Sequence, residues 1–216
     1  MSLFGTTTTL RHTSPLPVGV DKATAVRLLL QDHDFFISCG PHSVACERAD
    51  AEEEARLAAA ALTADAKGVC PLPEAVRAVL TKASDTSSNG SVSSSAFYSG
   101  STDVPMLPKA CTYRVTDVVH TLPAGLWDAR VVSTYEMTDV PGTGVFVRIR
   151  SPLSVVMDTT WMIVLSKEDE GTAQLVLVEE IIIYCSRLLM PTVKILCEGG
   201  WRQIHAKMIA RLEENN

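Results

Sequence analysis

What this 216-residue chain lacks narrows its chemistry first. It has no cluster of lysine and arginine, and 19 basic residues against 25 acidic ones give a net charge of −6. That balance argues against nucleic acid and anionic membranes as partners. No segment approaches the roughly 20 apolar residues of a membrane span, and Met1 to Leu10 lacks the basic start and apolar run of a signal peptide, so a cytoplasmic protein is expected. The six cysteines form no C-x-x-C pair, which in a reducing compartment reads as small buried apolar residues. Walker loops, H-E-x-x-H, G-x-S-x-G and zinc-spaced Cys/His sets are all missing. Gly142-Thr143-Gly144 is too short for a dinucleotide loop and reads as a turn. His12, His33, His42, His120 and His205 fall on different elements. Neither a metal nor an organic cofactor is expected.

What is present is organised around the C-terminal stretch from Pro191 to Leu212. Val193, Leu196, Cys197, Trp201, Ile204, Met208 and Leu212 recur at spacings of three and four, one apolar helical stripe. Pro191 suits the first turn, and Lys207 and Arg211 suit the last. The helix would be about 33 Å long, enough to cross a small sheet. Gly199-Gly200 in its middle costs about 1 kcal/mol per glycine, so the helix bends there, offers a packing notch to a strand, or lies over a ligand.

Before it, the chain opens as strand, helix pair, strand. Leu3 to Leu10 is a Thr-rich edge strand ended by Ser14-Pro15-Leu16-Pro17, and Asp21 caps a helix that buries Val26, Leu29 and Leu30. A small helix or turn follows at Asp32 to Phe36, then a short strand over Ser43 to Glu47. Residues 50 to 109 interrupt this with an Ala/Glu helix over Asp50 to Ala66, a second over Pro73 to Lys82, and a Ser/Gly tract, Ser84 to Ser101, too poor in apolar residues to offset its chain entropy. They read as a surface insertion ending in a disordered linker, within a domain made of 1–49 and 110–216. From Cys111 onward the period is two: five alternating segments with short connections predict an antiparallel meander with one face wet and the other covered by the C-terminal helix. The expected fold is α+β, a helix grip with about six or seven strands.

Asp32-His33-Asp34-Phe35-Phe36, Leu122 to Asp128 (LPAGLWD), Val145 to Leu153 (VFVRIRSPL), Cys185-Ser186-Arg187-Leu188-Leu189 and Trp201-Arg202-Gln203-Ile204-His205 resemble a fungal family of uncharacterised domains. That family is similar in turn to the START and birch-pollen-allergen superfamily, which includes polyketide cyclases and lipid carriers. The resemblance covers most of 3–48 and 110–212 and leaves the insertion unmatched. It implies the helix grip and brings no catalytic motif to carry over.

Strand parity supplies the candidate site. Tyr113, Asp117, Tyr135, Trp161 and Glu179 point toward the helix, whereas Arg148 and Arg150 face solvent. Glu179, between Leu177 and Ile181, is the sharpest candidate: a lone buried carboxyl has a raised pKa and can donate a proton or hydrogen bond. The alternatives are a slipped register that turns it outward, or pairing with Arg148 or Arg150. Candidate catalytic groups are Glu179, Tyr135 and Asp117. Candidate ligand contacts are Tyr113, Ser133, Met157, Trp161, Ile181, Gly200, Trp201 and Ile204, with Trp127 and Trp161 serving either as core or as ligand shelf. Two functions fit such an interior. One is a cofactor-free cyclase or pericyclase that folds a hydrophobic terpenoid or polyketide intermediate; the other is a non-catalytic carrier of a hydrophobic ligand or lipid. A scaffold whose insertion, Ala51 to Lys82, recruits a partner helix is a third.

Overall fold

The computed structural model describes residues 5–88, 110–120, 128–167 and 173–215. Seven strands form one antiparallel sheet: β1 (Gly5–Pro15), β2 (Ser43–Arg48), β3 (Cys111–His120), β4 (Asp128–Val140), β5 (Gly144–Ser151), β6 (Val155–Lys167) and β7 (Ala173–Ser186). Their order is β1-β7-β6-β5-β4-β3-β2. The meander β3 to β7 is extended at its two edges by the first two strands. β1 runs five residues past the expected Leu10 and ends at Pro15, which an edge strand tolerates because no neighbour needs its N–H. The turn between β4 and β5 holds Gly142 at φ 66°. Gly144 is required by close approach: a Cβ there would lie 1.8 Å from the Trp161 carbonyl oxygen.

The concave face is covered by α1 (Lys22–Leu29), α2 (His33–Ser38) and α5 (Met190–Glu214). Asp21 caps α1 by accepting from Thr24 N–H at 2.9 Å, as the sequence suggests, and Asp32 caps α2 through Phe35 N–H at 3.2 Å. α5 is continuous through Gly199-Gly200, with Pro191 in its first turn. The pair offers no notch to a strand: a Cβ on Gly199 would meet nothing within 4 Å, and Gly200 faces Pro41.

These helices divide the concave face. Leu29, Leu30, Phe36 and Ile37 pack with Met208 and Leu212 against Val115, Met137, Ile163 and Leu177 in the main core. Arg211 fastens α5 to α2, donating to Asp32 at 2.6 Å with its guanidinium 3.9 Å from the centre of the Phe35 ring. The buried residues of α5 are His205, Met208 and Leu212, all in its second half. Its first half is less deeply buried: Met190, Val193 and Cys197 are only partly covered where they pack with Val155, Ile181 and Ile183, and Leu196 is 40% exposed. The covering is thus shared with α1 and α2, contrary to the expectation that α5 does it alone, because those short helices carry too few residues to show a long stripe.

The convex face departs further from expectation. It is not wet throughout: α3 (Ala51–Ala66) and α4 (Glu74–Ser88) lie on it, with Ala61, Leu72, Val76 and Leu80 around Phe146. α4 runs on through Ser84 to Ser88, the start of the Ser/Gly tract; the rest of that tract, Trp127 and residues 168–172 lie outside the described residues. Under the insertion Arg148, expected in solvent, is 1% exposed. It donates twice at 2.7 Å to its cross-strand neighbour Asp158 and at 3.0 Å to the Cys70 carbonyl. Arg150 pairs with Glu136.

At the rim of the main core His33 Nε2 lies 2.9 Å from Asp139 and its ring stands edge-on to Tyr113. Burial acts against the imidazolium, but the bond and charge of Asp139, with a smaller contribution from Cys111, outweigh it and push the His33 pKa from 6.5 to about 9. A folded value above the unfolded one means stabilisation complete below about pH 6.5 and lost as pH climbs through about 9. Thermal melts from pH 6 to 10 should therefore show a decline worth on the order of 2 kcal/mol, absent in His33→Gln. Equal slopes in both proteins would remove this assignment.

Candidate functional site

Between the first half of α5 and the sheet lies a cavity of about 480 Å³. The register builds the floor in inward rows: Glu179 beside Trp161, Ile181 beside Thr159, Met157 beside Ile149 and Tyr135, and Val155 beside Ser151. Ser133 extends the last row through its hydroxyl contact with Ser151 at 2.8 Å. Asp117 lies one row further out, opposite Val131. The roof is Val193, Leu196, Cys197, Gly200, Trp201 and Ile204 of α5. Among the described residues, every candidate named from the sequence lines this cavity except Tyr113. Tyr113 points inward as parity requires but is 6% exposed and sits in the main core, where α2 covers it. Burial pushes its hydroxyl up to about 12.

Glu179 reaches the cavity wall in company. His12, its register partner on β1, holds Nδ1 at 2.8 Å from Oε2, and His205 of α5 brings Nε2 to 3.7 Å from the same oxygen. The carboxylate is therefore neither lone nor paired with Arg148 or Arg150. His12 stacks on Trp201 with centroids 4.8 Å apart and planes 5° from parallel. His205 is wedged between Trp161 and Trp201. Its Nδ1 meets the Ser14 hydroxyl at 2.8 Å, and its Nε2, fully buried, has no hydrogen-bond partner. One carboxylate with two imidazoles against an apolar chamber is a set of groups of the kind that passes protons to and from a ligand. Sequence reasoning missed both histidines. His205 had a signal, since it lies four residues after Trp201 and three before Met208 on the apolar stripe; His12 had none, because its partner lies 167 residues away.

The far end of the cavity carries Asp117, His42, Ser133 and Ser151. Burial raises the pKa of Asp117, opposed by the charge of His42. Between the ends, burial lifts the Tyr135 hydroxyl above the usual tyrosine range, and the Cys197 thiol to about 12. Cys197 is thus a protonated thiol, 3.7 Å from the Met157 sulfur, and no nucleophile. Among the described residues no His, Cys, Asp or Glu group could hold a metal ion, and no helix is long and apolar enough to cross a membrane.

A family model described as a domain of unknown function (DUF7053) matches residues 5–214. The chain belongs to the DUF7053 family. This DUF7053 match spans the insertion as well as the helix grip. No curated protein matches the chain. Solved structures similar to this DUF7053 chain include an uncharacterized protein from Rhizobium leguminosarum, at 11% identity and a TM-score of 0.40, over 94% of this chain and 95% of that one.

Proposed function

We propose that this protein is a cofactor-free cyclase that folds a hydrophobic terpenoid or polyketide intermediate in the cavity beneath α5, with Glu179 as the proton-handling group. One observation carries the reading: a carboxylate held by two histidines opens onto a chamber otherwise lined mainly by apolar side chains. The volume falls within the roughly 300–1,000 Å³ of small-molecule sites. Holding a flexible chain in a near-attack geometry contributes several kcal/mol, up to about 7 to 11 in the best intramolecular cases, so shape and one proton-transfer group suffice. The resemblance to the START and birch-pollen-allergen superfamily, which includes cyclases, adds to the reading, and a cytoplasmic site of action belongs to it. The carrier reading draws on a different observation: Leu153, 75% exposed, and the half-exposed Leu196 extend the cavity's apolar lining to the surface, a route for ligand exchange.

The test is incubation of the purified protein with candidate linear precursors, followed by mass spectrometry and chiral analysis. The cyclase reading expects a ring-closed product in altered proportion, and a rate at least 100-fold lower in Glu179→Gln, a loss larger than any accompanying loss of binding. Unchanged product ratios with tight precursor binding would replace the cyclase by the carrier.

A further inference from the structure

The polar groups of the cavity are gathered at two places. Glu179, backed by His12 and His205, stands at one; Asp117, His42, Ser133 and Ser151 stand at the other. The register separates them. From β7, where Glu179 lies, the sheet passes through β6 and β5 to Ser133 on β4 and Asp117 on β3. Ser133 lies three inward rows from Glu179 and Asp117 lies four. Each strand adds about 4.8 Å and each inward row about 6.6 Å, and the curvature of the palm shortens the direct path. Met157, Ile149, Val155, Ile181 and Val193 line the space between.

The charges are as uneven as the polarity. Among the described residues that line the cavity there are two carboxyl groups and no lysine or arginine. A carboxylate or phosphate drawn inside would lose its water, meet no lysine or arginine and only the imidazole of His42 beside Asp117, and face like charge in a medium that screens poorly. A hydroxyl fits both ends, since it donates to a carboxylate and exchanges hydrogen bonds with serine hydroxyls.

We infer that the ligand of this cavity is an elongated apolar molecule bearing a hydroxyl group at each end and no negative charge. This rests on the cavity reading proposed above and narrows it: fatty acids and phospholipids are excluded, whereas polyols and terminally hydroxylated chains are admitted. Glu179 accepts from one terminal hydroxyl, and Asp117 with Ser133 holds the other.

Displacement of Nile red, an uncharged hydrophobic dye, from the full-length protein tests it without knowledge of the natural ligand. The competitors are α,ω-alkanediols from dodecane-1,12-diol to hexadecane-1,16-diol, with 1-alkanols and alkanoic acids of the same lengths. The best diol should displace the dye at a concentration at least about tenfold below the matching alkanol, one buried hydrogen bond to a charged group. It should displace at about 100-fold below the matching acid. Glu179→Gln and Asp117→Asn, checked for folding by circular dichroism, should each narrow the gap between diol and alkanol. Equal displacement by diol and alkanol, or an acid that competes as well as the diol, overturns the inference while leaving the cavity intact. Failure of the dye and all competitors to bind removes the cavity reading, and the inference with it.

Discussion

Asp158→Ala should destabilise the protein by about 3 to 5 kcal/mol, lowering its melting temperature by roughly 10 °C. Arg148 and Asp158 are 1% and 3% exposed, beneath the α3–α4 insertion, and two bonds of 2.7 Å link them. Remove the carboxylate and a guanidinium stays in the interior with the Cys70 carbonyl as its remaining hydrogen-bond acceptor among the described residues. Its Nη1 already lacks a partner. The cost therefore comes from the abandoned charge, and the double variant Arg148→Met/Asp158→Leu should recover most of it. Urea denaturation of wild type, single and double variants measures this directly. A single variant within 1 kcal/mol of wild type would mean that water reaches Arg148 and that the insertion does not seal the convex face.

Cys197→Trp should abolish ligand binding, a loss of at least 100-fold or about 2.7 kcal/mol, while leaving the fold in place. Cys197 lies on the cavity roof and touches Met157 of the floor. An indole there fills the space between sheet and helix that a guest would occupy. Directly below Cys197 lies Met157, but the cavity opens beside it, so an indole turned into that space meets less of the overpacking strain that a filled core imposes. Hydrophobic-dye binding and thermal melts together decide the matter: lost dye binding with an unchanged melt is the expected pair. Retained dye binding would place the guest elsewhere.

The inner face was legible in the sequence because alternation is local. Once Ile181 and Ile183 are assigned to the core, Glu179 must share their side, and the structure puts it there. Parity assigns a face and says nothing of depth, which is why Tyr113, the direct neighbour of Tyr135, proves to be core. The convex face misled for a related reason. Arg148 and Asp158 alternate with apolar residues as a solvent-facing row does, and the helices that bury them are sparse in large apolar side chains, α3 burying Glu54 and Ala61. The histidines around Glu179 were illegible in a third way, since their meeting depends on the pairing of the chain's first strand with its last, for which no local pattern exists.

That pairing also dictates a sequence of assembly. β1 has β7 as its neighbour in the sheet, so its 11 residues find no strand to join until Ala173–Ser186 has been made. Contacts so distant along the chain incur loop-closure entropy before they return any energy. His12 and Ser14 thus reach their places only after the rest of the palm exists, and during synthesis the pocket is completed from the oldest part of the chain.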